Sequence, residues 1–189
     1  MIYTKRQLNE VLRIEKELYI PKGARTEAFI VSDNVWDIYK YVKLLRKTEF
    51  HYNNKQNFFH KFLYILCRRK KNILGRKLGI EMSENSFDGG LLIYHSGNIV
   101  VNGYARIGKN CKLHGSNCIG NNGLSIKAPI IGNNVRLGIG AKVIGDITIA
   151  DDVIVAAGAV VIESCYIKGA VLAGVPAKCV KIRSSEGEQ

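Results

Sequence analysis

The chain holds four histidines, His51, His60, His95 and His114, and imidazole is the side chain best suited to take up a proton near neutral pH. His51 and His60 fall in a stretch of helical apolar spacing and have no evident partner in the sequence. His114 sits beside Leu113. His95 lies six residues before Val101, on a phase that otherwise takes an aliphatic residue. A polar ring in an aliphatic slot has two explanations: a general base that activates a hydroxyl, or a hydrogen-bonded histidine capping the start of a repeat. For His114 the second is favoured. The five cysteines (Cys67, Cys111, Cys118, Cys165 and Cys179) are odd in number and form no CxxC pair. Reduced, buried thiols are therefore expected, with no zinc framework or disulfide scaffold. No P-loop or Rossmann glycine fingerprint is present.

The element that must position His95 is a repeat. Steps of six from Val101 pass through Ile107, Leu113, Ile119, Ser125, Ile131, Leu137, Val143, Ile149, Val155, Val161, Ile167 and Ala173, nearly all of them Val, Ile or Leu. Small or β-branched residues recur four positions on, as at Ala105, Val135, Ala141, Val153 and Ala159. A period of six is not that of an α-helix and exceeds strand alternation. It is the signature of a parallel β-helix with faces one hexapeptide long. Three faces close a coil of about 18 residues, so each aliphatic residue should stack on its counterpart one coil later, about 4.8 Å along the axis. A β-sandwich of short strands fits thirteen in-phase positions poorly.

The residues before Gly79 follow another rhythm. Leu8, Val11, Leu12 and Leu18 give a helix from Thr4 to about Tyr19, and Pro21 with Gly23 punctuates the chain. A second helix starts after Asp33-Asn34, with Val35, Ile38, Tyr39, Val42 and Leu45 as its apolar stripe. A third runs from about Gln56 to Lys71, where the run Arg68-Arg69-Lys70-Lys71 suits a helix C-terminus. Its stripe of Phe58, Phe59, Phe62, Leu63, Ile65 and Leu66 is read as core. The formal charge of +12 sits almost wholly here: residues 1–80 carry 18 Lys/Arg against 7 Asp/Glu. Such a charge attracts polyanions, but it is read as a solvated helix face, and neither nucleic acid nor membrane is an expected partner. The N-terminus does not read as a signal peptide, no apolar run approaches a membrane span, and a cytoplasmic protein is expected. The fold class is therefore α+β, with a basic helical domain at 1–78, a β-helix domain at 79–182 and a flexible tail at 183–189.

Four segments resemble the hexapeptide-repeat acyltransferases and, within them, the serine acetyltransferases. They are GGLLIYHSGNIVVNGYARIGKNC, NCIGNNG, PIIGNNVRLGIGAKVIGDITIADDVIVAAGAVV and VLAGVPAKCV, and the likeness covers about residues 79–182. The resemblance implies that the coil is left-handed and that the protein transfers acetyl from acetyl-CoA, as co-substrate, to a hydroxyl. It implies a homotrimer with its sites between subunits, and no metal. His95 then matches the catalytic base, and Glu81 the carboxylate that holds the base's other nitrogen, with Glu84 as the lesser choice. Gly120 and Gly123 match a loop whose N–H groups could stabilise the thioester oxyanion. Gly138, Ile139, Ala157 and Gly158 match the coil positions along which acetyl-CoA lies, and Lys178 and Lys181 could pair with its phosphates. Transfer would be direct, with Cys111 or Cys118 the suspects if a covalent acyl-enzyme formed.

The chain departs from the family pattern at the acceptor side. Tyr94 stands where an Asp usually precedes the catalytic His, and the Arg-His pair of the long loop is missing, since only LSIK links NCIGNNG to APIIG. The helical domain is short, and the ending RSSEGEQ lacks the terminal Ile with which some relatives dock into cysteine synthase. L-serine acetylation in cysteine biosynthesis is the leading expectation, slightly favoured by the overall motif arrangement. O-acetylation of a sugar or surface-polysaccharide precursor, on which an aromatic Tyr94 would stack, is the alternative. A non-catalytic trimeric β-helix whose basic helices bind nucleic acid or anionic lipid is a third reading, against which His95 speaks. A carbonic anhydrase on this fold needs three zinc-binding histidines, and the repeat half has only His95 and His114.

Overall fold

A computed structural model of the chain describes residues 1–20 and 33–183; the turn expected at Pro21 and Gly23 and the tail beyond Arg183 lie outside these. Helix α1 (Lys5–Tyr19) starts at Thr4, which forms a reciprocal capping box with Gln7. Helix α2 (Asn34–Asn53) is capped by the Asp33 carboxylate, which accepts from the Val35 N–H, and its expected stripe of Ile38, Tyr39, Val42 and Leu45 is buried. Helix α3 (Phe58–Leu78) runs past the expected end at Lys71 to a left-handed Gly79, φ 65°. Lys71 does not finish the helix because its ammonium turns inward, donating to the Met82 carbonyl and the Glu84 carboxylate. The α3 stripe read as core is instead exposed: Phe58, Phe59, Phe62, Ile65 and Leu66 face solvent, and the packed side of the helix carries Lys71, Gly75 and Leu78. None of the described helices is long and apolar enough to cross a membrane.

Fourteen strands follow. They are β1 (Ile80–Glu81), β2 (Leu92–Ile93), β3 (Ile99–Val101), β4 (Arg106–Ile107), β5 (Lys112–Leu113), β6 (Cys118–Gly120) and β7 (Ile130–Ile131). Then come β8 (Arg136–Leu137), β9 (Lys142–Ile144), β10 (Thr148–Ile149), β11 (Ile154–Val155), β12 (Val160–Val161), β13 (Ala170–Gly174) and β14 (Ala177–Ile182). They fall in rotation onto three parallel faces: β1-β3-β6-β9-β12, β4-β7-β10, and β2-β5-β8-β11-β13. The chain therefore winds as a three-sided coil. Antiparallel β14 covers the outer edge of β13.

The inward positions are the expected aliphatic ones with their small partners, from Val101, Ala105 and Ile107 to Val155, Ala159 and Val161, all nearly inaccessible. Full burial of each Val, Leu or Ile contributes about 1.5–3 kcal/mol. At the tight corners Asn110, Asn134 and Asp152 take positive φ and hydrogen-bond to one another in a ladder. Asn and Asp tolerate that conformation better than most residues.

The coil nevertheless departs from the expected regular stacking in three places. Ile107, Leu113 and Ile119 pair with Ile131, Leu137 and Val143, 24 residues on and not 18, because residues 121–127 leave the coil as a loop. Ser125 lies on that loop. Near the end Leu172, not Ala173, stacks on Val155, and Ile167 is exposed. At the start Ile93 pairs with Leu113, so the slot assigned to His95 belongs to Ile93. The corner between Ile93 and Val101 is two residues longer than a hexapeptide step, and His95 stands on it, exposed.

The helices close the first coil through a buried ion network. The Arg46 guanidinium binds the carboxylates of Glu15 and Glu49 and donates to the carbonyls of Phe87 and Asp88. Glu15 also accepts from the N–H groups of Gly90 and Leu91, and the Tyr19 hydroxyl accepts from the Ile93 N–H. Burial opposes the charge on Arg46, but the two carboxylates more than offset it and raise its pKa, while burial raises that of Glu49.

Candidate active site

One edge of the coil, the corner leading from the β2-β5-β8-β11 face to the β3-β6-β9-β12 face, gathers side chains from distant hexapeptides. Tyr94 follows Ile93, and its N–H donates to the Leu113 carbonyl. His114 follows Leu113 one coil up, and its ring stacks on Tyr94 with centroids 4.5 Å apart and planes 25° from parallel. His95 lies against Gly115: a Cβ on that glycine would come within 3.2 Å of the His95 Cβ. Higher on the same edge, Gly138 abuts Ala157, where a Cβ on the glycine would meet the Ala157 nitrogen at 2.6 Å. Gly140 donates its N–H to the Gly115 carbonyl, and Gly158 donates to that of Ile139. His95, Gly138, Ile139, Ala157 and Gly158 thus share one edge although 63 residues separate the first from the last. Ile139 is exposed among these small residues, which leaves a shallow apolar track.

Asn117 braces this edge from inside. It is fully buried. Its oxygen accepts from the Gly115 N–H, and its amide donates to the carbonyls of Gly138 and Ala141. Sequence reasoning missed it. The signal was there, because Asn117 falls in the column of small and β-branched residues that includes Ala105, Val135 and Ala141, where an amide has no business unless it is bonded.

His114 is half-buried, and its Nε2 is buried without a hydrogen-bond partner. Burial, helped by the positive field of Arg136 and by His95 and Lys112, pulls its pKa below the usual histidine range. The ring is therefore neutral at pH 7. It is more than a passive repeat residue, since it forms the platform on which Tyr94 rests. The other two histidines, which lacked a partner in the sequence, find each other, with His51 Nδ1 2.9 Å from His60 Nδ1.

The remaining expected residues lie elsewhere. Glu81, in β1 beneath Val100, is exposed and makes no hydrogen bond to His95. It lines a cavity of about 450 Å³ between α3 and the first coil, together with Arg68, Asn72, Arg76, Ser83 and Asn98. Glu84 is committed to Lys71 at 2.9 Å. Gly120 ends β6 at the far corner of its face, and Gly123 turns in the projecting loop with φ 78°; neither shares the His95 edge within one chain. Lys178 sits opposite Ala173 at the top of that edge, paired with Glu163 at 2.8 Å. Lys181 is farther along β14, opposite Val171. Cys111 is core, and burial pushes its thiol up to about 12, which removes it as a nucleophile. Cys118 is partly exposed in β6.

Residues 128–163 match the family model of bacterial transferase hexapeptide repeats (six repeats). The serine acetyltransferase of Staphylococcus xylosus is 32% identical over 133 residues, covering 65% of this chain and 61% of that protein. The serine acetyltransferase of Helicobacter pylori strain J99 is 33% identical over 125 residues, covering 64% of this chain and 72% of that protein. This chain therefore spans less than two thirds of the staphylococcal relative. The crystal structure of Brucella abortus serine acetyltransferase in complex with coenzyme A superposes with a TM-score of 0.73 at 22% identity, over 95% of this chain and 70% of that one. The fold, with three helices among the described residues ahead of a parallel three-faced coil, is thus shared, and by sequence the chain belongs to the serine acetyltransferase family.

Proposed function

We propose that the protein is an acetyl-CoA-dependent O-acetyltransferase whose first acceptor is L-serine. The observation that supports this reading best is the convergence of His95 with Gly138, Ile139, Ala157 and Gly158 on one coil edge. The donor lies along the small, apolar track, with Lys178 and Lys181 near its phosphates. His95 takes the proton of the acceptor hydroxyl as its oxygen attacks the acetyl carbonyl, and the CoA thiolate leaves without a covalent enzyme intermediate. The coil is left-handed, and three copies associate side by side. That assembly brings the Gly120–Gly123 corner of one copy to the His95 edge of the next, where the loop N–H groups face the developing oxyanion. Glu81 acts through His95 only if the assembled site closes the gap between them. The helical part, 1–78, and the coil, 79–182, are the two domains, and acetyl-CoA as donor places the reaction in the cytoplasm.

The exposed ring of Tyr94, held flat on His114, supports a second acceptor class, a sugar hydroxyl, because an aromatic face stacks on a sugar ring. Free-thiol release from acetyl-CoA, measured with L-serine and a panel of sugars and nucleotide sugars, decides between them. L-serine-dependent release that falls at least about 100-fold in His95→Ala is expected. Release with sugars only would move the assignment to the second class, and full activity of the variant would overturn the mechanism.

A further inference from the structure

Helix α3 has two opposite faces. Lys71, Gly75 and Leu78 face the protein, with Gly75 pressed against the Ile80 carbonyl. On the far side Phe58, Phe59, Phe62, Ile65, Leu66 and Ile73 are 85, 63, 54, 56, 39 and 50% exposed. At 3.6 residues per turn these six fall within an arc of about 120°. The helix also carries seven Lys or Arg residues and no Asp or Glu. Lys71 pairs with Glu84 and Lys77 with Asp37. Among the described residues Lys61, Arg68, Arg69, Lys70 and Arg76 have no carboxylate within ion-pair distance, and all five are exposed. Arg69, Arg76 and Lys77 fall on the same arc, so the exposed apolar face is contiguous from Phe58 to Leu66 and gives way to cations beyond it; an apolar patch of this kind marks an interaction site.

We propose that α3 docks the protein on an anionic lipid surface, lying in the plane of the bilayer with its phenylalanine face among the acyl chains and its cations among the headgroup phosphates. The charge selects this occupant. A second copy meeting the same face about a twofold axis would set five uncompensated cations against five. A nucleic acid would satisfy the cations and could stack on phenylalanines, but it has no use for the aliphatic Ile65, Leu66 and Ile73. An apolar patch on the first turns, flanked by Lys61, Arg68 and Lys70 and followed along the helix by Arg69 and Arg76, is a pattern that binds reversibly at a membrane interface. The Lys55 ammonium over the Tyr52 ring, 3.9 Å away, extends the aromatic and cationic character to the turn before α3. The proposal rests on α3 alone and is independent of acetyl transfer.

The test is co-sedimentation of the full chain with vesicles of phosphatidylcholine, alone or mixed with phosphatidylglycerol. Binding to the mixed vesicles only, weakened by salt, is expected. Phe58→Ser with Phe62→Ser, and separately Arg69→Glu with Lys70→Glu, should each weaken it about tenfold or more, with the melting temperature as a control for folding. No binding of the wild type to mixed vesicles overturns the proposal. So does undiminished binding of the phenylalanine variant. A wild type that ignores vesicles but loses its oligomeric state in the phenylalanine variant would show the face to be a contact between copies.

Discussion

Asn117 carries more of the site than its place in the sequence suggests. It is the one amide in a column of small apolar residues, and it satisfies backbone groups of Gly115, Gly138 and Ala141, the two glycines being edge positions next to His95 and Ala157. Asn117→Ala should leave the Gly115 N–H unpaired, while the Gly138 and Ala141 carbonyls keep the N–H groups of Ala141 and Cys118, and should cost about 1–3 kcal/mol, read as a lower denaturant midpoint at unchanged slope. It should also lower kcat/KM for acetyl transfer, because Gly115 and Gly138 would lose their common brace. A stability equal to wild type would mean that solvent replaces the amide without cost. His95 itself stands on different ground from the step that first singled it out. The hexapeptide phase singled it out as a ring in an aliphatic slot, yet Ile93 fills that slot and His95 stands free on a longer corner. What supports His95 as the proposed base is the likeness of the segment around it, together with its place on the edge beside Gly115.

Among the elements, the coil was readable from its period and the helices were readable only in part. Inward residues recur because every face needs one aliphatic side chain per step, so Val101 to Val161 announced themselves. The loop at 121–127 did not, since it removes a whole hexapeptide and leaves the phase intact on both sides. The helix stripes failed where charge and burial disagree: Glu15 is buried with Arg46, while Phe58 and Phe62 are exposed. No rule of apolar spacing tells which side of α3 meets the protein, because the packed side is made of a lysine, a glycine and a leucine. The junction of α2 and α3 carries its own prediction. His51 and His60 share a short Nδ1–Nδ1 contact, which requires at least one neutral ring, and burial, then His60 and Lys47, lowers the pKa of His51. The unfolded chain therefore binds a proton at a higher pH than the folded one. Stability should be full above about pH 6.5, the unfolded value, and should fall as pH drops through the lower folded value. Thermal melts between pH 5 and 8 should show this slope in the wild type and a flatter one in His51→Gln; equal slopes would exclude the pair.

For the whole molecule, the proposed site is divided between two corners of one coil, and the proposed trimer would join them. His95 and the Gly120–Gly123 corner lie at opposite margins of the same face. Light scattering should give about three times the chain mass of 21.0 kDa, and activity should vanish on dilution below the concentration at which the trimer dissociates. A fully active monomer would refute the shared site. The exposed Ile130, Ile139 and Ile162 on the outer faces supply apolar surface for such seams.

The antiparallel strand β14 has a further consequence for how such coils live in a crowded solution. A parallel coil offers open strand edges at both ends, and rung could add to rung without limit, as in a growing fibre. At one end helices α1 and α2 cover the first turn through Tyr19 and Arg46. At the other, β14 runs against the direction of every rung below it, so an incoming parallel rung meets the wrong hydrogen-bond pattern. Strand β14 thus covers the last rung of one face, and a chain without it is expected to expose the β13 edge and to associate end to end more readily.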